Sequence, residues 1–205
     1  MGTAYASISC NVIGVAAAAS ASATAEGEQR QEPNAPMGYA GPISTDTDRV
    51  VTTTEVNPLI EALDAVVIFW ATGIARDTVQ SVTGVDGQVI KLSSGGADAE
   101  GDALPTDATA VIIAKEVVVD LSIPSGTMLA MAVNSDERAA LSFRETADAL
   151  ISSVEHTVTS PYYYMDGMDV ADPVGANDCV AIRVATASIT SDKVVQMGIL
   201  YNSVV

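Results

Sequence analysis

The chain has 205 residues, enough on the usual prior for one sizeable core with an extended arm. Apolar residues make up 48% of it but aromatic residues only 4%, so a core must be assembled from Val, Ile, Leu, Ala and Met, side chains that favour pleated strands. Nine basic residues against 26 acidic ones give a formal charge of −17, which excludes a nucleic-acid footprint because phosphate contacts need clustered Lys and Arg.

The bases are Lys91, Lys115 and Lys193 with six arginines, and this lysine-poor acidic composition predicts a surface suited to high salt. At molar salt the screening length falls to about 3 Å and self-repulsion nearly vanishes. Cys10 and Cys179 have no partner at metal or redox spacing; two buried free thiols are expected, with a disulfide between arm and body as the alternative. No Lys or Arg precedes Arg30, so the basic region of a secretory leader is missing. No apolar run reaches the ~18 residues of a membrane-spanning helix. The expected setting is assembly in the cytoplasm.

In chain order, residues 1–45 differ from the rest. Ala16 to Ala25 is an Ala/Ser run, and Glu26 to Ile43 carries Gly, Pro, Gln and Asn with little periodicity. This predicts an N-terminal arm ordered by neighbouring surfaces, with a single β-rich domain over 46–205. Val50 to Val56 reads as a strand stopped at Asn57-Pro58, and Leu59 to Asp64 as a short helical turn. Ala65 to Trp70 reads as a strand buried on both faces. Val79–Val85 and Val89–Leu92 should pair across Asp86-Gly87, which tolerates the positive φ of a tight turn. Ser93 to Leu104 is an acidic loop. Val111 to Ile123 alternates as one strand, with Lys115 the exception on the apolar face and Glu116, Asp120 and Ser122 on the other, and Pro124-Ser125-Gly126 turns into a strand over Thr127–Val133.

Thr146 to Val154 breaks this pattern: Ala147, Leu150, Ile151 and Val154 have the spacing of one helical face, which predicts a single short helix. Alternation returns at Val180, Ile182 and Val184 and again from Val195 to Tyr201. Short strands separated by turns predict a mainly β fold, a sandwich, jelly roll or small barrel.

No catalytic, cofactor-binding or metal-ligating residue is expected from the sequence. His156 is the only histidine and no G-x-S-x-G, G-x-G-x-x-G or phosphate-loop motif occurs, so His156 is expected as an end-of-helix cation. Asp166, Asp169 and Asp172 supply carboxylates without the spacing of a calcium loop, and are left open as cation ligands. Tyr162, Tyr163 and Tyr164 alternate sides on a strand, so at least one ring faces solvent or a partner.

The small-residue arm and the acidic, Lys-poor strands ending in Val194-Val195-Gln196-Met197-Gly198-Ile199-Leu200-Tyr201 resemble the small capsid proteins of haloarchaeal viruses. The resemblance covers the chain from about Thr45 to its end. It implies a single jelly-roll subunit of an icosahedral shell, with or without a membrane beneath it, or a capsid-associated decoration or tail subunit. The implied partners are copies of the chain and other virion proteins, as a homo-oligomer. The competing expectation is a small acidic binding module or hydrolase whose acidic loop takes a ligand or metal.

Overall fold

The computed structural model describes residues 24–44, 49–56, 59–93, 100–121, 126–145, 149–156, 168–170 and 178–204. They form β1 (Thr24–Gln31), β2 (Asn34–Ala35), β3 (Tyr39–Ser44), β4 (Val50–Thr52), β5 (Ala65–Trp70), β6 (Gly73–Thr83), β7 (Val89–Leu92), β8 (Glu100–Gly101) and β9 (Ala110–Lys115). There follow β10 (Val117–Asp120), β11 (Gly126–Asn134), β12 (Ala139–Arg144), β13 (Leu150–His156), β14 (Met168–Val170), β15 (Ala181–Thr186), β16 (Lys193–Val194) and β17 (Gln196–Val204). The fold is mainly β, as the composition predicts. Among the described residues the one helical element is a single 3-10 turn, Val85–Gly87, and no helix is long and apolar enough to cross a membrane.

The chain divides into two compact units that it visits alternately. The first, a barrel unit, comprises Ala35–Val117 and Ala185–Lys193. Six strands close on themselves in the order β5-β9-β3-β4-β7-β6, with β6 returning to β5 and the short β8 lying against β6. Every pairing with a defined register is antiparallel. The interior of so small a barrel is filled by side chains, here Tyr39, Ile43, Val66, Ile68, Ile90 and Ile113 among one buried cluster. Val67 and Phe69, on the opposite face of β5, are buried too, so the unbroken apolar run from Ala65 to Trp70 is a strand covered on both faces. Gly41 lets β3 approach its neighbour, since a Cβ there would lie 2.0 Å from the Thr52 carbonyl oxygen. The β6–β7 hairpin turns at Asp86 (φ 57°) and Gly87 (φ 73°), the pair the sequence marks for it.

The second unit comprises Met1–Asn34, Val118–Val184 and Val194–Val205, and its strands form two four-stranded sheets, β1-β17-β11-β14 and β10-β15-β12-β13. Counted along the chain these are eight strands. The first pairs with the eighth, the second with the seventh, the third with the sixth and eighth, and the fourth with the fifth. Put in chain order, β1 meets β17, β10 meets β15, β11 meets β14 and β12 meets β13. Cross-strand partners such as Met131 with Ile199 and Val133 with Met197 are buried, as are Met128, Leu141, Phe143 and Ile182. Methionines and aliphatic side chains do the packing that aromatic rings would do elsewhere.

Several expectations are corrected. Of the helix expected over Thr146–Val154, residues 146–148 lie outside the described ones and from Leu150 on the chain is strand: Leu150–His156 is β13, paired with β12 from Ala139 opposite His156 to Arg144 opposite Leu150. Val154 is buried between exposed Ser153 and Glu155, an alternation that the coincident helical spacing masked. Residues 1–45 are not one arm. Residues 1–23 lie outside the described residues, but β1 pairs with β17 over eight residues, and β3 carries Tyr39 and Ile43 into the barrel core. A single domain over 46–205 is replaced by the two interleaved units. The described part of Val111–Ile123 is two strands rather than one, one in each sheet system, broken at Glu116, which is buried. Leu59–Asp64 likewise holds a non-helical turn, with Leu63 at φ 74°.

Candidate functional site

The polar groups that the barrel brings together come from β6. Within it Ala75, Asp77 and Val79 face one way and Arg76 the other, by the two-residue period of a strand. Both charges are buried: Arg76 and Asp77 are each 2% exposed. Burying a charge demands a partner, and each has one. Arg76 Nε donates to Glu116 Oε1 at 3.1 Å. Arg49 Nη2 lies 2.8 Å from Asp77 Oδ2, and Arg49 Nη1 donates to the Ser93 carbonyl at 3.0 Å. Asp77 Oδ1 accepts from Thr78 N at 2.7 Å and from the Ser93 hydroxyl.

This network ties four stretches of the barrel wall to one another: the start of β4 through Arg49, the middle of β6, the end of β7 through Ser93, and the exit of β9 through Glu116. Beside it a cavity of about 230 Å³ is lined by Arg49, Arg76, Gly101, Asp102 and Leu104. The segment over it is clipped to β6 at two points, Asp102 N donating to the Ile74 carbonyl at 2.9 Å and Ile74 N donating to Asp102 Oδ2 at 3.1 Å. Gly101 takes φ 97° there, a conformation that suits only glycine.

Asp77 commits both oxygens inside the wall and its side chain is inaccessible, so the Ser93–Asp77 contact is a clamp that a substrate does not reach. His156 closes β13 in the other unit, far in sequence from this network. Of the residues singled out in the sequence, Cys10, Tyr162, Tyr163, Tyr164, Asp166 and Asp172 lie outside the described residues. Asp169 is placed by its backbone in β14, opposite Thr127 of β11. Sequence reasoning missed Arg49, Arg76, Asp77 and Glu116. The signal was present: an Arg-Asp pair inside an apolar strand, in a chain with so few cations, is costly unless both are satisfied.

Two groups outside this network titrate away from their ordinary values. Burial pushes the Tyr39 phenol up, helped by the Asp192 and Glu55 carboxylates. Burial pushes the Cys179 thiol up to about 11 against backbone hydrogen bonds at Arg144 and Ala181 that lower it. Cys179 is a buried free thiol, as expected, with Sγ 3.5 Å from the Ala181 carbonyl.

A thiol raised in the folded state from 9.0 holds its proton better there than in the unfolded chain. Its stability contribution is therefore complete below pH 9 and is lost as pH rises through about 11. The expected loss is roughly 2–3 kcal/mol, since each pH unit between 9 and 11 is worth about 1.4 kcal/mol. Denaturant titrations from pH 8 to 11 check this: Cys179→Ala removes this part of the alkaline decline and leaves that of Tyr39, and Cys179 itself resists thiol reagents in the folded chain at neutral pH.

Comparison of the chain with protein-family models, curated proteins and solved structures finds no match.

Proposed function

We propose that the chain is a structural virion protein, a capsid or capsid-associated subunit, whose eight-stranded unit is a jelly roll. The observation that carries this is the nested pairing of the eight strands, first with eighth through fourth with fifth. A jelly roll is a long antiparallel hairpin of four such pairs wound into two facing sheets, each a Greek-key arrangement, and viral shells are among its main users. The same architecture serves lectins and cupins, and the capsid reading is preferred on the chain's composition: an acidic, Lys-poor surface, a single histidine and few aromatic rings. In this reading the jelly roll is the assembly module and the barrel an insertion between its first two strands. The subunit needs no cofactor or metal, its partners are further copies and other virion proteins, and it assembles in the host cytoplasm into the virion.

The test is the native mass of the purified chain at molar salt, with electron microscopy of the same sample. Closed particles or regular arrays of megadalton mass are expected. A monomer or a discrete small oligomer at every concentration and salt would sink the reading and favour the acidic binding module instead.

A further inference from the structure

The barrel's antiparallel register fixes which loops share an end. The start of β3, the end of β4, the start of β5, the tip between β6 and β7 and the end of β9 all lie together: Thr52 opposes Val89, Thr53 N donates to the Gln88 carbonyl, and Tyr39 opposes Ile113. That end carries four exposed large apolar side chains. Val56 and Leu59 are exposed, Leu63 is 83% exposed and Val85 77% exposed.

Leu63 and Val85 are held out rather than left loose. Leu63 sits at φ 74°, a strained setting for a branched side chain. It is fixed there by its own N–H on the Val79 carbonyl, and by Asp64, which accepts from Glu61 N and pairs with Lys115 Nζ at 2.7 Å. Val85 stands on the 3-10 turn between Gly84 and Gln88. The surroundings are acidic: Glu55, Glu61 and Asp86 are exposed on the same loops, and among the described residues of those loops Lys115, already held by Asp64, is the one base.

We propose that this end of the barrel is a docking face for a partner protein that offers apolar sockets framed by lysine or arginine. Rigid apolar anchors inside a charged rim are the anatomy of an interface, and the rim's sign selects a basic partner. A second copy of this chain is a poor occupant, because with nine bases against 26 acids it would bring like charge to like charge. The inference is independent of the virion reading, and neither fails with the other.

The experiment titrates the isotope-labelled full chain, followed by amide NMR, with an amphipathic peptide alternating leucine and lysine and with its leucine and glutamate counterpart. The lysine peptide is expected to shift resonances at Val56, Leu59, Leu63 and Val85, and the glutamate peptide to leave them in place. Leu63→Asp and Leu63→Gly should each weaken binding at least tenfold, and Leu63→Gly suits the positive φ, so its spectrum should otherwise keep its dispersion. Shifts spread over the whole acidic surface, or equal binding of the two peptides, would overturn the proposal. So would movement of the same four resonances with protein concentration alone, which would make a second copy the occupant.

Discussion

Replacing either Arg76 or Glu116 with alanine is expected to cost about 3–5 kcal/mol, because each change leaves the other charge buried without its ion partner. The two side chains are almost wholly inaccessible, at 2% and 1% exposure, so water cannot make up the loss. Glu116 is also the single residue between β9 in the barrel and β10 in the other unit. The pair therefore fixes the position at which the chain leaves the barrel wall. Removing both charges together is a different matter. The double variant Arg76→Met with Glu116→Leu keeps an apolar volume in place of the pair and is expected to recover most of the loss, because the desolvation cost of two ions disappears with them. Denaturant unfolding of the unaltered chain, the Arg76→Met and Glu116→Leu single variants and the double variant gives the cycle directly. Additive losses in the two single variants and the double variant would show that the pair is not coupled, against the 3.1 Å contact.

That network also shows where sequence reading stops. Ala65–Trp70 and the Asp86-Gly87 hairpin were legible because their signals are local: an apolar run of strand length, and a turn pair with a defined φ. The split of Val111–Ile123 at Glu116 was not. Lys115 fell out of phase in the alternation and marked the break, but its meaning depends on Asp64, and that of Glu116 on Arg76, 40 positions away. β13 failed for another reason. Leu150, Ile151 and Val154 fit both a helical stripe and a strand, and the choice is made by β12, whose six buried residues supply a partner edge. The division into two units was invisible because first-with-eighth pairing joins residues almost the full chain apart, β1 at Thr24 to β17 at Val204. No local periodicity encodes that.

With −17 on 205 residues the folded chain repels itself wherever screening is weak. The melting temperature should rise by at least about 10 °C between low and molar salt, which for a chain of this size corresponds to roughly 3–5 kcal/mol. The contributions separate by burial. Pairs inside the barrel wall, Arg76 with Glu116 and Asp77 with Arg49, are largely shielded from added ions, whereas exposed acids such as Glu55, Glu61 and Asp86 are not. Screening should therefore lift the melting temperature without erasing the cost of breaking the buried pair. The Arg76→Ala chain and the unaltered chain should climb in parallel, separated by nearly the same interval at every salt concentration. NaCl and KCl should act alike at equal ionic strength, since the effect is screening and not a specific site. A melting temperature that stays flat with salt would remove the high-salt expectation drawn from the lysine-poor composition, and a gap between the two chains that closes at molar salt would mean that the Arg76 pair is far better hydrated than its burial allows.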